Sequence, residues 1–88
     1  MNIVNVKTSA YDVYIGRGSV WGNPFIIGQD GSRIEVIALY EEYIRRKIQE
    51  EPHKYDLSTI YGKVLGCHCK PIMCHGDVLV KIMQEINK

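Results

Sequence analysis

The sequence has 88 residues, of which 45% are hydrophobic and 24% are charged, the composition of an ordinary globular protein. This length suffices for one domain and not for two, so residues 1–88 are expected to form a single domain. The formal net charge is only +1, which argues against binding a nucleic-acid polymer, because such proteins usually carry a basic stripe. A small anionic ligand needs only two or three local cations and remains compatible with this charge.

The three cysteines, Cys67, Cys69 and Cys74, lie within eight positions of one another. An odd number of clustered cysteines does not suit a disulfide framework, so reduced thiols and a cytoplasmic location are expected. No apolar run approaches the roughly 20 residues that cross a bilayer, so no membrane partner is expected.

The first half of the chain predicts two short strands, at 3–6 and 11–15, because these segments are rich in β-branched and aromatic residues. Residues 16–32 then form a long loop containing five glycines. A loop of this length in a small domain is usually functional or disordered. Because Trp21 and Phe25 are unusual in disordered segments, we expect the loop to be ordered.

Residues 33–50 show helical periodicity, and Pro52 is expected to end this helix or to begin a short second one that carries Leu57 and Ile60. The apolar stripe of the helix is expected to comprise Ile34, Ile37, Ala38, Ile44 and Ile48. The opposite, charged face comprises Glu41, Arg45 and Arg46. Tyr40 and Tyr43 interrupt the stripe and are expected in the core or at its rim.

The mostly apolar run at 63–69 is typical of a central strand buried on both faces. A final helix is predicted from about Gly76 to Asn87. Its core-facing stripe comprises Val78, Leu79, Ile82, Met83 and Ile86. The predicted fold is therefore α/β, with a short Rossmann-like sheet of about three strands and two to three helices.

The predicted strand–loop–helix at the end of the chain places the segment 69–77 beyond the carboxyl end of a strand, where open α/β sheets bind ligands. Cys74 and His75 fall at the start of the last helix, where backbone N–H groups and the helix dipole favour negative charge. Lys70 can reach the same volume as a cation, and Asp77 falls in the first turn. We expect this segment to hold a phosphate group.

Two other interpretations of the cysteines stay open. Cys67, Cys69 and Cys74, with His75 or His68, have the residue types of a zinc site, but their spacing closes a tetrahedron poorly, so no metal is expected. Alternatively, Cys74 is a nucleophile, and Cys74 and Asp77 are the catalytic residues if the chain is an enzyme. A third interpretation, which we prefer for Cys67 and Cys69, is that these two are simply small, buried and inert residues.

The glycine-rich loop offers a second set of binding groups. Arg17 and Arg33 can each pair bidentately with phosphate, and Tyr14 and Trp21 offer ring faces for a nucleobase. Asn23 can present its amide to a base edge or a ribose. In a purely structural alternative, Trp21 fills the core and Asn23 shapes a turn.

Together these groups predict a protein that binds a nucleotide-like, phosphate-bearing small molecule, without a cofactor. Its small core leaves apolar surface that would favour a homo-oligomer. The expected ligand-binding residues are Tyr14, Arg17, Trp21, Asn23, Arg33, Lys70, Cys74, His75, Gly76 and Asp77. The alternatives are an enzyme that cleaves a glycosidic or phosphoester bond of a nucleotide and a zinc-stabilised interaction module.

Two motif blocks that span nearly the whole chain resemble the family called domain of unknown function 4326. They are Tyr14-Ile15-Gly16-Arg17-Gly18 with Trp21-Gly22-Asn23-Pro24-Phe25, followed by Gly31, Arg33 and Glu35, and Gly62-Lys63, followed by Cys67-x-Cys69-Lys70-Pro71-x-x-Cys74-His75-Gly76-Asp77-Val78-Leu79. The family comprises short proteins of bacteria and many phages. The resemblance implies a compact domain, often of phage origin, and no activity. Together with the binding groups above, it favours a phage-type protein that captures a nucleotide-derived signal such as an ADP-ribose or cyclic nucleotide species. His68 stands where the family pattern suggests Trp.

Overall fold

The computed structural model describes residues 2–68 and 73–86, and it confirms a small α/β domain with a three-stranded sheet and two α-helices. In chain order its elements are β1 (Asn2–Asn5), β2 (Val13–Tyr14), α1 (Arg33–Glu50), a 3₁₀ helix (Leu57–Thr59), β3 (Val64–Cys67) and α2 (Gly76–Ile86). The 3₁₀ helix is the short second helix expected after Pro52. It begins at Asp56, whose side chain accepts a hydrogen bond from the Ser58 N–H.

The sheet has the order β1-β3-β2, and both pairings are parallel. The run that was expected to be a central strand is therefore central, and Leu65 and Cys67 of β3 are buried. The second strand is shorter than predicted. Its approach is occupied by Asp12, which accepts the Val64 N–H on its carboxylate at 2.8 Å and donates its own N–H to Val64 O at 2.8 Å. One backbone N–H of β3 therefore bonds to a side chain and not to the backbone of a neighbouring strand.

Helix α1 begins with a complete capping box, in which Ser32 and Glu35 each accept the other's backbone N–H. Its ends match the prediction, but its buried face matches only in part: Ile44 is buried as expected, and Ile37 and Ile48 pack against the core while partly exposed. The fully buried positions follow the i, i+4 spacing of Val36, Tyr40 and Ile44. Two members of the expected stripe are exposed, since Ile34 is 69% exposed and Ala38 also faces solvent.

Tyr40 confirms its expected place in the core. Its hydroxyl donates to the Trp21 carbonyl oxygen at 2.7 Å, which satisfies the polar end of a fully buried ring. Burial accordingly raises the pKa of Tyr40, because the phenolate would lose its hydration. Tyr40, which seemed to interrupt the apolar stripe, therefore lies at the centre of the buried face, because this hydrogen bond satisfies its hydroxyl group.

Helix α2 covers the predicted segment and buries nearly all of the predicted stripe; its buried residues are Gly76, Val78, Leu79, Ile82 and Met83. Ile86 is the exception and is 67% exposed. On the surface, the two helices are joined by ion pairs from Lys81 to Glu41 (3.1 Å) and from Arg45 to Glu85 (2.7 Å). Among the described residues, no helix combines the length and apolar character that crossing a membrane requires.

Candidate functional site

A pocket of about 310 Å³ opens at the carboxyl ends of β2 and β3, where ligands bind in open α/β sheets. Its walls come from both strand ends, from the glycine-rich loop, from the start of α1 and from the segment before α2. The described residues that line it are Tyr14, Gly16, Arg17, Asn23, Phe25, Ile27, Arg33, Val36, Ile37, Cys67, His68, Cys74 and His75. The fold thus brings the two motif blocks of the sequence to one cavity.

The charge of this pocket differs from that of the whole chain. Arg17 and Arg33 both line it, whereas no aspartate or glutamate is found among the lining residues that the structure describes. Arg33 is also the first residue of α1, where the positive end of the helix dipole lies. A nearly neutral protein therefore presents a local excess of positive charge inside a cavity, as anion recognition requires.

Arg17 holds the glycine-rich loop in shape. Its Nη1 and Nη2 atoms donate to the carbonyl oxygens of Asn23 and Phe25 at 2.9 and 3.1 Å. The Tyr14 hydroxyl donates to the Arg17 carbonyl at 3.2 Å. Because a guanidinium group carries five N–H donors, three remain for a ligand after these two bonds. Arg17 is therefore both a loop brace and a preoriented cation.

Asn23 also serves the loop with both ends of its amide. Its Oδ1 accepts the Phe25 N–H at 2.9 Å, and its Nδ2 donates to the Val36 carbonyl in α1 at 3.3 Å. This arrangement corresponds to the structural alternative for Asn23, although the residue still forms part of the pocket wall. The loop is thus attached to the helix by one amide.

Gly22 allows the same loop to fold back on itself. A β-carbon at this position would lie 2.6 Å from the Gly16 carbonyl oxygen, a backbone atom that cannot rotate away. The Gly22 N–H donates to Ser19 O at 3.1 Å, which closes the turn. The loop is therefore an ordered structure, as its aromatic residues indicated.

Arg33 is the first residue of α1 and connects the two motif blocks. Its Nη1 donates to the Met73 carbonyl at 3.1 Å, forty residues along the chain. This bond uses one of its five N–H donors, and the structure shows no second bond from Arg33 to a described residue. Because Arg33 lines the pocket, its remaining N–H donors lie at the pocket wall.

His75 is buried, with 7% of its surface exposed. Its Nε2 lies 2.6 Å from the Ile15 carbonyl oxygen, so this nitrogen carries the proton and donates it. Burial lowers the pKa of His75, since charging the ring would cost hydration, and the Arg17 guanidinium acts in the same direction. The ring is therefore neutral and packs edge-on against Tyr40 at 5.0 Å.

The start of α2 is organised by Asp77, whose Oδ2 accepts the Cys74 N–H at 3.1 Å. This contact is one half of a capping box and uses an N–H that we had expected to face a phosphate. Asp77 is exposed and does not contribute to the pocket wall. Gly76 is buried. A β-carbon at this position would lie 2.8 Å from side-chain atoms of Ile3 and Ile15, so the site has little room for a larger residue.

Cys67 and Cys74 face each other, with 3.3 Å between their sulfur atoms. Both are buried, neither is part of a disulfide, and both contribute to the pocket wall. The expected burial of Cys67 is confirmed, but its contact with Cys74 was not anticipated. No spacing rule links a strand end to a residue seven positions later, so only the folded chain reveals this pair.

Trp21 lies away from the pocket, in the core. It is 5% exposed, and its ring packs edge-on against Tyr55 at 5.8 Å. A nucleobase in the pocket therefore cannot stack on this indole, and the core-filling alternative describes its placement. Phe25, in contrast, lines the pocket while packing edge-on against Tyr43 at 6.0 Å.

Seven of the described lining residues were absent from the expected binding set, and two of them, Phe25 and His68, bring aromatic rings to the wall. The ring of His68 stands edge-on to the Tyr14 ring at 5.8 Å. The position of His68 after the central strand could have revealed it, because side chains at strand ends line such sites. Tyr14 and His68 together form an aromatic wall beside the two arginines.

Lys70 and Cys69 lie outside the described residues. Within the part of the chain that the structure does describe, no three His, Cys, Asp or Glu side chains converge as a metal site. The expected ligand set is thus divided: the two arginines, Tyr14, Asn23, Cys74 and His75 meet at one pocket, whereas Trp21, Gly76 and Asp77 do not contribute to its wall.

Comparison with known proteins finds viral relatives of unknown function. The chain is 42% identical to an uncharacterised 12.4 kDa protein from the nrdA-td intergenic region of Enterobacteria phage T4, over 98% of this chain and 80% of that protein. It is 34% identical to an uncharacterised protein of Acanthamoeba polyphaga mimivirus, over 88% of this chain and 70% of that protein. No solved structure matches. The family of domain of unknown function DUF4326 matches residues 3–85, and the chain belongs to this family.

Proposed function

We propose that the chain is a phage-type binding protein whose pocket captures a nucleotide-like, phosphate-bearing small molecule. The observation that carries this proposal is the pair Arg17 and Arg33 in a cavity whose described walls contain no carboxylate. Charge-assisted hydrogen bonds from guanidinium groups to phosphate are among the strongest that proteins make. The phosphate is therefore assigned to the arginines rather than to the start of α2, where Asp77 already accepts the Cys74 N–H.

The rest of the pocket supports a planar group next to the phosphate. Tyr14, Phe25 and His68 bring aromatic rings to its wall, and aromatic rings stack on nucleobases. The volume of about 310 Å³ lies at the lower end of the usual range of ligand pockets, about 300–1,000 Å³. This size favours a ligand with one nucleotide unit, such as a cyclic mononucleotide, over the larger ADP-ribose.

The enzymatic alternative receives less support from the same geometry. In a Cys–His pair the imidazole would accept the thiol proton, and because the Nε2 atom of His75 donates to the Ile15 carbonyl, only its Nδ1 atom could do so. Asp77, the other candidate, caps α2 through its Oδ2. Incubating each nucleotide with the protein and separating the products by chromatography distinguishes capture from cleavage.

The test begins with native mass spectrometry of protein purified from cells, which detects a co-purified nucleotide, bound zinc and the oligomeric state together. Calorimetric titration then compares AMP, cyclic AMP and ADP-ribose with adenosine, which lacks phosphate. We expect a phosphorylated ligand to bind and adenosine to bind at least about tenfold more weakly, because a charged hydrogen bond contributes roughly 1.5–3 kcal/mol.

Arg33→Gln should weaken binding of that nucleotide by about tenfold or more, for the same reason. Arg46→Gln is the matched control, because Arg46 lies on the exposed face of the same helix, paired with Glu50. Equal affinity for adenosine and the nucleotides, or unchanged affinity in Arg33→Gln, would contradict the proposal.

A further inference from the structure

The two facing thiols of Cys67 and Cys74 constitute a feature that ligand capture does not use. Their sulfur atoms are 3.3 Å apart, whereas a disulfide has a sulfur–sulfur distance of about 2.05 Å. An approach of roughly 1 Å would therefore suffice to join them. We propose that this pair is a modification site, which a low-molecular-weight disulfide entering the pocket converts to an intramolecular disulfide. The proposal does not depend on the identity of the pocket's ligand.

The backbone on each side of the pair is fixed. Cys67 ends β3, and its carbonyl accepts the Val6 N–H at 3.1 Å. The Cys74 N–H donates to Asp77, and the carbonyl of the preceding residue accepts from Arg33. Two thiols held this close have a high effective concentration toward each other. The second step of oxidation should consequently outrun release of a mixed disulfide.

The reaction balances as a thiol–disulfide exchange. One protein thiolate attacks the reagent's S–S bond, forms a mixed disulfide and expels one reagent thiolate. The second protein thiolate then attacks the protein-bound sulfur and expels the other reagent thiolate. The two protons from the cysteines go to the two departing thiolates. In sum the cysteines lose two electrons and two protons, and the reagent is reduced to two thiols.

The pocket also determines which reagent arrives. Both cysteines are only 1% exposed, so access passes through the cavity whose wall they share with Arg17 and Arg33. These cations attract an anionic disulfide such as oxidised glutathione, which carries carboxylates and of which only the arm with the reacting sulfur has to enter the cavity. Reduced glutathione or another thiol should reverse the modification by the same exchange.

The test uses wild-type protein and the variant Cys69→Ser, which retains only the proposed pair. Native protein is incubated with oxidised glutathione, and free thiols and intact mass are measured. Wild type should fall from three free thiols per chain to one, and Cys69→Ser from two to none. Each product should weigh two hydrogens less, without an added glutathione. Cys67→Ser and Cys74→Ser should instead stop at mixed disulfides.

Chemical cleavage checks the assignment in wild type, even if a cysteine variant fails to fold. After alkylation of the remaining thiol, cyanogen bromide cleaves behind Met73 and separates Cys74 from Cys67 and Cys69. A linked fragment pair with the alkyl group on Cys69 supports the proposal. Free thiols that persist in Cys69→Ser, mixed disulfides as its end product, or a bond from Cys69 to Cys74 in wild type would each overturn it.

Discussion

Arg33 and Met73 are joined by a hydrogen bond of 3.1 Å between the guanidinium Nη1 and the carbonyl oxygen. This bond connects the first turn of α1 to the residue immediately before Cys74. The segment that the sequence indicated as the chemical centre is therefore positioned by a side chain from the other motif block. Arg33 consequently both holds these two segments together and lines the pocket.

Arg33→Ala should lower the free energy of unfolding by about 1 kcal/mol, because it removes a hydrogen bond from a charged donor. Urea denaturation of purified protein measures the change. Arg46→Ala, on the exposed face of α1, should cost less, since its partner Glu50 is also well exposed. Equal costs for the two variants would mean that the bond to Met73 adds nothing to stability.

Arg17→Ala should loosen the glycine-rich loop, because the bonds to the Asn23 and Phe25 carbonyls are lost together. We expect faster cleavage after Phe25 by chymotrypsin under native conditions, together with a loss of about 1–2 kcal/mol in unfolding free energy. Truncation of an ordinary surface residue without such bonds usually costs less than about half a kcal/mol. A cleavage rate equal to that of wild type would show that the loop keeps its shape without the brace.

Asn23→Asp should destabilise the domain by about 1–3 kcal/mol, although the side chains are nearly the same size. The Oδ1 contact with the Phe25 N–H survives, but the second carboxylate oxygen would face the Val36 carbonyl, so two acceptors would oppose each other. Thermal and urea denaturation measure the loss. Gln49→Glu makes the same chemical change at an exposed position of α1 and serves as the control. Similar behaviour of both variants would argue against the amide bridge.

His75 should make the domain less stable in mild acid. Burial lowers the pKa of His75 below its ordinary value of about 6.5 in the folded state. Above about pH 6.5 neither state is protonated, and the contribution of the neutral ring is complete. As the pH falls below that value, the unfolded chain binds a proton that the folded chain binds less well, so the unfolding free energy decreases.

The measurement is a series of urea denaturations from about pH 8 to about pH 5. His75→Gln should flatten the decrease, and His53→Gln, which replaces an exposed imidazole, supplies the reference curve. If His75→Gln retained the full wild-type slope below about pH 6.5, the acid sensitivity would have to originate elsewhere.

The sequence predicted the elements of the fold better than it predicted their buried faces. The apolar run of β3 and the stripe of α2 are dictated by local periodicity, so both were found. In α1, Ile34 was expected to be more deeply buried than Tyr40, but Ile34 is exposed and Tyr40 is buried. The tyrosine is buried because the Trp21 carbonyl, nineteen residues away, accepts its hydroxyl. A pattern of hydrophobicity contains no information about such a distant partner.

The site was predicted in part for the same reason. Arg17 and Arg33 were expected among the binding residues, and both line one pocket, because the segments that follow parallel strands converge at one edge of a sheet. The distribution of hydrogen bonds was not accessible from residue types. A side-chain amide can form hydrogen bonds with a nucleobase or with the protein backbone. The amide of Asn23 bonds to the Phe25 N–H and the Val36 carbonyl, and so connects the loop to α1. The contact of Cys67 with Cys74 likewise depends on the exact approach of β3 to α2.

The central strand of the sheet is also the last of its three strands along the chain. Both β1 and β2 pair only with β3 in the described sheet, so neither finds its partner before residues 64–67 have left the ribosome. During synthesis the first two thirds of the chain thus have no sheet to join. Assembly of the domain, and with it the pocket at the strand ends, therefore has to wait for the synthesis of residues 64–67.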